Sequence, residues 1–386
     1  MIKAFKYRLY PTRNQVEFLT RQLETHCWLY NRALEQRKTA WEAEQKNISC
    51  FDQIKYLTLF RKTVDDLGFC NCTSLQQTLR RLDKAFQIFF RRLKAGGKPG
   101  YPRFKSTNRF HTIEYMGLGD GCQIKDNRLY LQNIGCIKVR WHRPIVGKIK
   151  TLSVTRRNDK WYASFYVEYE PQPLPKTGKK IALDIGSKTF CVDSEGNLHR
   201  NPKYLKQSYE HLKRCQQRLA RRKKGSKRRE KARKFLARAH EKVANQRKDF
   251  LHKLSRGYIN GFDEIFIEDL SILDMARSVK GDSKYIHKSI QDAGWGMFFN
   301  FLSYKAEEAG RTLVEVDPSG TTERCSNCGE MVSKKLTTRI HRCPACGIKI
   351  HRDVNAALNI LKIGSDGAFG PGRETCGVTE KLSFSR

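Results

Sequence analysis

Two sets of side chains in this 386-residue sequence have the types and spacing to do chemistry. The first is sulfur: Cys325-Ser-Asn-Cys328 and Cys343-Pro-Ala-Cys346, with fourteen residues between the pairs. Two thiolates in a C-x-x-C step can reach one tetrahedral ion, and a second such knuckle completes four-sulfur coordination of Zn²⁺. Gly329 and Gly347 each follow a knuckle, where a tight turn favours a residue that tolerates positive φ. The intervening loop is one residue below the usual range of about 15–20, and a lone redox C-x-x-C does not account for a pair. One structural zinc ion in a ribbon over residues 319–350 is therefore expected, with His341 and His351 as bystanders.

The second set is oxygen. Asp184 interrupts the apolar run Ile181-Ala-Leu-Asp-Ile-Gly186, Glu268 ends Ile265-Phe-Ile-Glu268 just before Asp269, and Asp353 opens an apolar helical pattern. A carboxylate in or at the end of a buried strand is costly unless it is paired or binds a cation. Three that converge could hold two Mg²⁺ ions for in-line attack on a phosphodiester. Each also has a plainer reading. Asp184 could turn the chain before Gly186, Asp353 could cap a helix, and alternation does not choose between Glu268 and Asp269.

Charge narrows the partner. Lys and Arg number 75 against 39 Asp and Glu, a net +36, so the chain needs a polyanion, and nucleic acid is the first candidate. With 39% hydrophobic and 11% aromatic residues it can still build real cores, so wholesale disorder is excluded. No apolar run reaches the roughly 18–20 residues of a membrane span, and MIKAFKYRLYP lacks the apolar core of a signal peptide. The other nine of thirteen cysteines are scattered, which fits free thiols in a reducing compartment. A soluble, intracellular protein that does not act at a membrane is expected.

The elements that must position these groups follow from periodicity. Residues 2–10 alternate as a strand. Val16, Leu19, Leu23, Cys27, Tyr30 and Leu34 mark one helical stripe, and Leu75, Leu79, Leu82, Phe86, Phe89 and Leu93 another. The second helix carries Arg80, Arg81 and Lys84 on its opposite face, so residues 11–95 read as a helical domain with a basic exterior. Period-two patterns through 96–171, joined by residues 1–10, predict a small β-barrel. Pro171, Pro173 and Pro175 predict a stiff linker over 172–180. Beyond it, residues 181–318 and 351–362 read as an α/β domain with a basic helical insertion at 204–256, and 363–386 as a flexible tail. The fold class is thus α+β and multidomain.

Residues 220–234, ARRKKGSKRREKARK, hold ten basic residues in fifteen. Such a run is ordinarily a solvated face or a localisation signal. Here it lies between the strands of Asp184 and Glu268, so a projecting helix pair is expected. Arg221, Arg222, Lys224, Arg228, Arg229 and Lys231 would touch nucleic-acid backbone without reading sequence.

Taken together, the motifs IALDIGSKTF, IFIEDLSI, DAGWG, VDPSGTTERCSNCG, CPACG and HRDVNAALNI, in this order, resemble the TnpB family. This is the insertion-sequence family ancestral to type V CRISPR nucleases. The segments KAFKYRLYPTRNQ, GKPGYPRFKS and WYASFYVE are similar to its N-terminal half, so the resemblance spans residues 1–362. One departure is Thr321-Thr322-Glu323-Arg324, where the family more often has Thr-Ser followed by Gln.

The resemblance implies an RNase H-like (RuvC) nuclease domain with an inserted zinc ribbon. It assigns the catalytic acids to Asp184, Glu268 and Asp353, preferring Glu268 to Asp269. It places two Mg²⁺ there, with Asp184 bridging. It further implies a transposon-encoded, RNA-guided DNA endonuclease of the prokaryotic cytoplasm, acting at the nucleoid, one protein copy holding one guide RNA and cutting double-stranded DNA beside a short motif. Gln76 matches the family's base-contacting glutamine, and a glutamine can pair bidentately with adenine. The rival readings are a guided repressor that does not cut, a guide-independent transposase and a nucleic-acid chaperone.

Overall fold

The computed structural model describes residues 1–186, 188–271, 292–335, 338–366 and 373–374. The chain divides into two compact units, Met1–Glu170 and Pro171–Arg386.

The first unit opens with β1 (Ile2–Tyr10) and α1 (Arg13–Glu44). Thr12 starts α1 through a capping box: its hydroxyl accepts from the Gln15 N–H, and the Gln15 side chain accepts from the Thr12 N–H at 3.0 Å. Leu19, Leu23, Cys27, Tyr30 and Leu34 are all buried, so the expected stripe is the packed face. After α2 (Cys50–Thr63) and α3 (Asp65–Phe69), Asn71 caps α4 (Cys72–Lys94), which buries Leu75, Leu79, Leu82 and Phe86.

Six strands follow: β2 (Thr112–Tyr115), β3 (Cys122–Lys125), β4 (Arg128–Leu131), β5 (Gly135–Arg140), β6 (Lys148–Arg157) and β7 (Lys160–Glu168). With β1 they form one antiparallel sheet in the order β2-β6-β7-β1-β5-β4-β3. Asp126-Asn127 and Asn158-Asp159, all at positive φ, make the two-residue hairpin turns β3–β4 and β6–β7. The order has two edges, so the sheet is a half-barrel where a small barrel was expected. The reason is in the core: Phe5, Tyr7, Leu9 and Phe165 pack in one cluster with the buried stripes of α1 and α4, so helices fill the inner face that closure would otherwise cover.

In the second unit, Pro173–Gly178 is laid onto the protein instead of spanning free as a spacer. The Leu174 N–H donates to Ala309 at 2.9 Å, and the Thr177 and Gly178 N–H groups donate to the Asp263 carboxylate. Arg311 donates to the same carboxylate and to the Pro175 carbonyl.

Next come β8 (Lys180–Ile185), β9 (Thr189–Asp193) and β10 (Leu198–Arg200), then α5 (Tyr204–Gln207), α6 (Tyr209–Ala220) and α7 (Lys227–Gly261). They are followed by β11 (Glu264–Glu268), α8 (Trp295–Ala309) and β12 (Thr312–Val316). A two-stranded piece, β13 (Ile340–Arg342) and β14 (Lys349–His351), leads directly into α9 (Arg352–Asp366). The sheet runs β10-β9-β8-β11-β12, with a short β15 (Arg373–Glu374) beyond β12. The pairs β10–β9 and β9–β8 are antiparallel, whereas β11 lies parallel to both β8 and β12.

One face of the sheet, through Ile181, Leu183, Ile265 and Ile267, packs on α7 and α8; the other, through Ala182, Phe266 and Val316, packs on α9. Ile363 and Gly364 belong to that second packing, so α9 continues past 362, where a tail was expected to begin. The rest of the expected tail, apart from β15, lies outside the described residues. Among the described residues, no helix is long and apolar enough to cross a membrane.

Candidate active site

Strand parity brings the three acids together. Side chains two apart share a face, so Asp184 stands with Ala182 and Glu268 with Phe266, both on the face that α9 covers. Register does the rest: Ile267 pairs with Leu183 in the parallel β8–β11 ladder, so the next position sets Glu268 beside Asp184. From the third element, α9, Asp353 lies on the stripe 353, 356, 357, 360, whose Ile360 packs against Ala182 and Phe266.

The electrostatics report the convergence. The Asp184 carboxyl is held well above its ordinary pKa by burial first, then by the neighbouring Glu268 and Asp353 carboxylates; Arg352 opposes the shift. Burial also raises Glu268, against a hydrogen bond from Thr321. Arg352 Nε lies 3.3 Å from the Asp353 carboxylate.

The plainer readings do not survive this geometry. Asp184 sits inside β8, opposite Val192, and not in a turn. Asp353 lies one residue inside α9 and bonds Arg352. Glu268 is 9% exposed and Asp269 lies on the surface.

Like charges this close and partly out of water are costly unless a proton or a cation offsets them, and hard carboxylate oxygens could take Mg²⁺. The three acids are not among the groupings whose ligand atoms all lie within 4.8 Å of one another; among the described residues, only the four cysteines form one.

The sulfur site is compact. Cys325 and Cys346 sulfurs lie 3.7 Å apart, and Cys328 and Cys343 3.5 Å. A tetrahedron with metal–sulfur bonds of about 2.3 Å has edges near 3.8 Å, so the donor set fits zinc. The two knuckles are built alike: Gly329 N–H donates to the Cys325 carbonyl and Gly347 N–H to the Cys343 carbonyl, both at 3.0 Å, with φ of 83° and 74° at the two glycines. His341 is buried and stands outside the cluster.

Three residues that sequence reasoning passed over join the two sites. The Thr321 hydroxyl donates to Glu268 Oε1 at 2.7 Å. Asn355 donates to the Arg324 carbonyl at 2.7 Å and accepts from the Ser326 N–H at 2.9 Å. Asn359 donates to the carbonyls of Thr321 and Arg324 at 2.8 and 2.7 Å. The cue was two asparagines four apart in an otherwise apolar helix, because buried amides are retained where they find partners.

The basic residues divide by what they touch. The run 220–234 covers the turn between α6 and α7, a pair packed through Leu212, Ala239 and Val243. Arg221, Arg222, Lys224, Arg228 and Lys231 are exposed. Arg214, Gln217, Arg218, Arg221 and Arg222 line a cleft of about 380 Å³. Arg229 differs: its Nη1 donates to the carbonyls of Leu219 at 2.9 Å and Arg222 at 2.7 Å, closing the end of α6. In the first unit Arg80 and Lys84 are exposed, Gln76 is half-buried, and the Arg81 guanidinium lies 5.0 Å over the Phe110 ring.

Three family models match the chain: "Probable transposase" over residues 164–279, "Cas12f1-like, TNB domain" over 295–360, and "Helix-turn-helix domain" over 1–46. In the last span the structure has one strand and the single long helix α1. A Streptomyces pristinaespiralis protein named "Putative RNA-guided DNA endonuclease" is 34% identical over 374 residues, 94% of this chain and 89% of the relative. "Putative RNA-guided DNA endonuclease InsQ" of Escherichia coli K12 is 29% identical over 378 residues, 94% and 92% of the two chains. In fold, the chain is similar to one in the cryo-EM structure of the Cas12f1-sgRNA-target DNA complex, at 13% identity and a TM-score of 0.56 over 93% of this chain and 98% of that one. With motifs, family models and near full-length similarity in agreement, the chain belongs to the TnpB family.

Proposed function

We propose that this protein is an RNA-guided DNA endonuclease of a transposon, hydrolysing phosphodiesters at Asp184, Glu268 and Asp353. The observation that carries the reading is the meeting of three acids from β8, β11 and α9 on one sheet face, in a chain of net charge +36. The strand order, three antiparallel strands followed by two parallel ones, supports an RNase H-like (RuvC) domain.

The three carboxylates would hold Mg²⁺, with Asp184 central because both other acids act on it. When bound, Mg²⁺ supplies a positive centre that polarises a phosphodiester and acidifies a water. The chain's own part is to hold the oxygens rigidly. Asp184 is fixed within a strand ladder, Glu268 by the Thr321 hydroxyl, and Asp353 by the first turn of α9 with Arg352 beside it. The four cysteines would hold Zn²⁺ and brace the segment before the first knuckle.

The exposed Arg221, Arg222, Lys224, Arg228 and Lys231 would lie along the backbone of guide RNA or target DNA, as would Arg80 and Lys84; Gln76 would read a base of the target-adjacent motif. Arg229 and Arg81 are withdrawn from that contact set, since their guanidinium groups already hold α6 and cover Phe110.

The test is to purify the protein from a host carrying its own flanking DNA, sequence the RNA that accompanies it, and offer a plasmid matching that RNA together with Mg²⁺. Cleavage confined to the matched plasmid is the expected result. Joined DNA products formed without a matching RNA would instead establish the transposase reading, which the "Probable transposase" family model favours.

A further inference from the structure

We infer that Thr321 is a positioning residue for the acid centre, setting the affinity of Glu268 for divalent cations and tying that affinity to the four-cysteine cluster. The inference rests on the reading of Asp184, Glu268 and Asp353 as a cation site.

Thr321 is 2% exposed, and its single hydroxyl proton has two acceptors in reach, Glu268 Oε1 at 2.7 Å and the Pro318 carbonyl at 3.1 Å. The carboxylate is the closer and the more basic, so it takes the proton. That bond stabilises the ionised form of Glu268 against burial and fixes one of its oxygens, leaving the other for a cation.

The hydroxyl is itself held from the far side. α9 presents two adjoining stripes: residues 353, 356, 357 and 360 toward the sheet, and Asn355, Asn359 and Lys362 toward the segment 321–326. Asn359 holds the Thr321 and Arg324 carbonyls, Asn355 brackets Arg324 and Ser326, and Lys362 donates to the Ser326 carbonyl. Cys325, a ligand of the sulfur cluster, lies inside this clamp. Glu268, through Thr321, and Asp353, through α9, are thus referred to one buried hydrogen-bonded piece whose far end is the first knuckle. No contact of Thr321 with substrate is needed, because it acts through Glu268.

Outer-sphere partners of this kind typically alter metal affinity about 10–100-fold when removed. The test is Mn²⁺ binding to the full chain with its bound RNA, counted by the paramagnetic resonance of free Mn²⁺. The component that disappears in Asp184→Asn defines binding at the acids. Thr321→Val, close in shape but without the hydroxyl, is expected to weaken that component about 10–100-fold, and Thr321→Ser to restore it. The thiolate-to-Co²⁺ absorption of the Co²⁺-substituted cysteine cluster checks that the ribbon is intact in each variant.

Wild-type affinity in Thr321→Val, or no recovery in Thr321→Ser with the ribbon intact, overturns the positioning role and leaves the acid centre standing. No difference between wild type and Asp184→Asn overturns the cation-site reading, and the inference with it.

Discussion

Ionising Asp184 works against the fold that carries it. Burial and two neighbouring carboxylates raise its folded pKa well above the unfolded value, so the native state prefers the proton more than the unfolded chain does. By linkage, stability contributed by the protonated acid is present below the unfolded pKa of 3.8 and is lost as pH rises through the raised folded one. Without added divalent cation, Asp184→Asn is therefore expected to be more stable than wild type at neutral pH, by about 1–3 kcal/mol. The advantage should vanish toward pH 3. Thermal melts across pH check this, and an Asn variant equal to or below wild type at neutral pH would contradict it. Mg²⁺ should raise the wild-type melting temperature and leave the variant's unchanged. At this scale the sequence exposed the three acids but not their order of importance. Alternation left Glu268 and Asp269 open, the resemblance preferred Glu268, and the β8–β11 register sets Glu268 beside Asp184; only the structure could show a hydroxyl 53 positions away bonding it.

Helix α9 ties the sheet to both candidate sites. It buries Ile360 on the sheet, presents Asp353 to the acids and clamps the knuckle with two asparagines. Its approach depends on Gly364, where an added Cβ would run into the Phe266 ring. Gly364→Ala is expected to destabilise the protein by about 1–3 kcal/mol through overpacking, read as a lower urea midpoint. The period-3.6 pattern marked the apolar face of this helix but not its end, because the polar stripe that engages the ribbon reads as ordinary helix surface. The same limit explains the open sheet. Alternation gives strands and their faces, yet whether a sheet closes depends on what fills its concavity, here α1 and α4. The α6–α7 turn makes a parallel point about charge. Arg229→Ala should loosen the turn that it bonds, read as faster amide exchange at 219–229, with little change in the salt dependence of nucleic-acid binding.

At the scale of the whole molecule, +36 is a statement about what the chain must be bound to. Exposed bases stand at the α6–α7 turn and on α4, while Asp184, Glu268 and Asp353, half-buried or buried, meet in one place. Reversing Arg221, Arg222, Lys224 and Arg228 together is expected to weaken nucleic-acid binding and to flatten log K against log[salt] by about 0.9 for each duplex phosphate no longer neutralised. An unchanged slope would mean that other residues neutralise the phosphates. The most direct measurement is cleavage of an RNA-matched plasmid with Mg²⁺ by wild type, Asp184→Ala and Glu268→Ala, each carrying the same amount of co-purified RNA. Wild type should linearise the plasmid while both variants bind it and leave it uncut; cutting by either variant at near the wild-type rate would contradict the assignment of the acids.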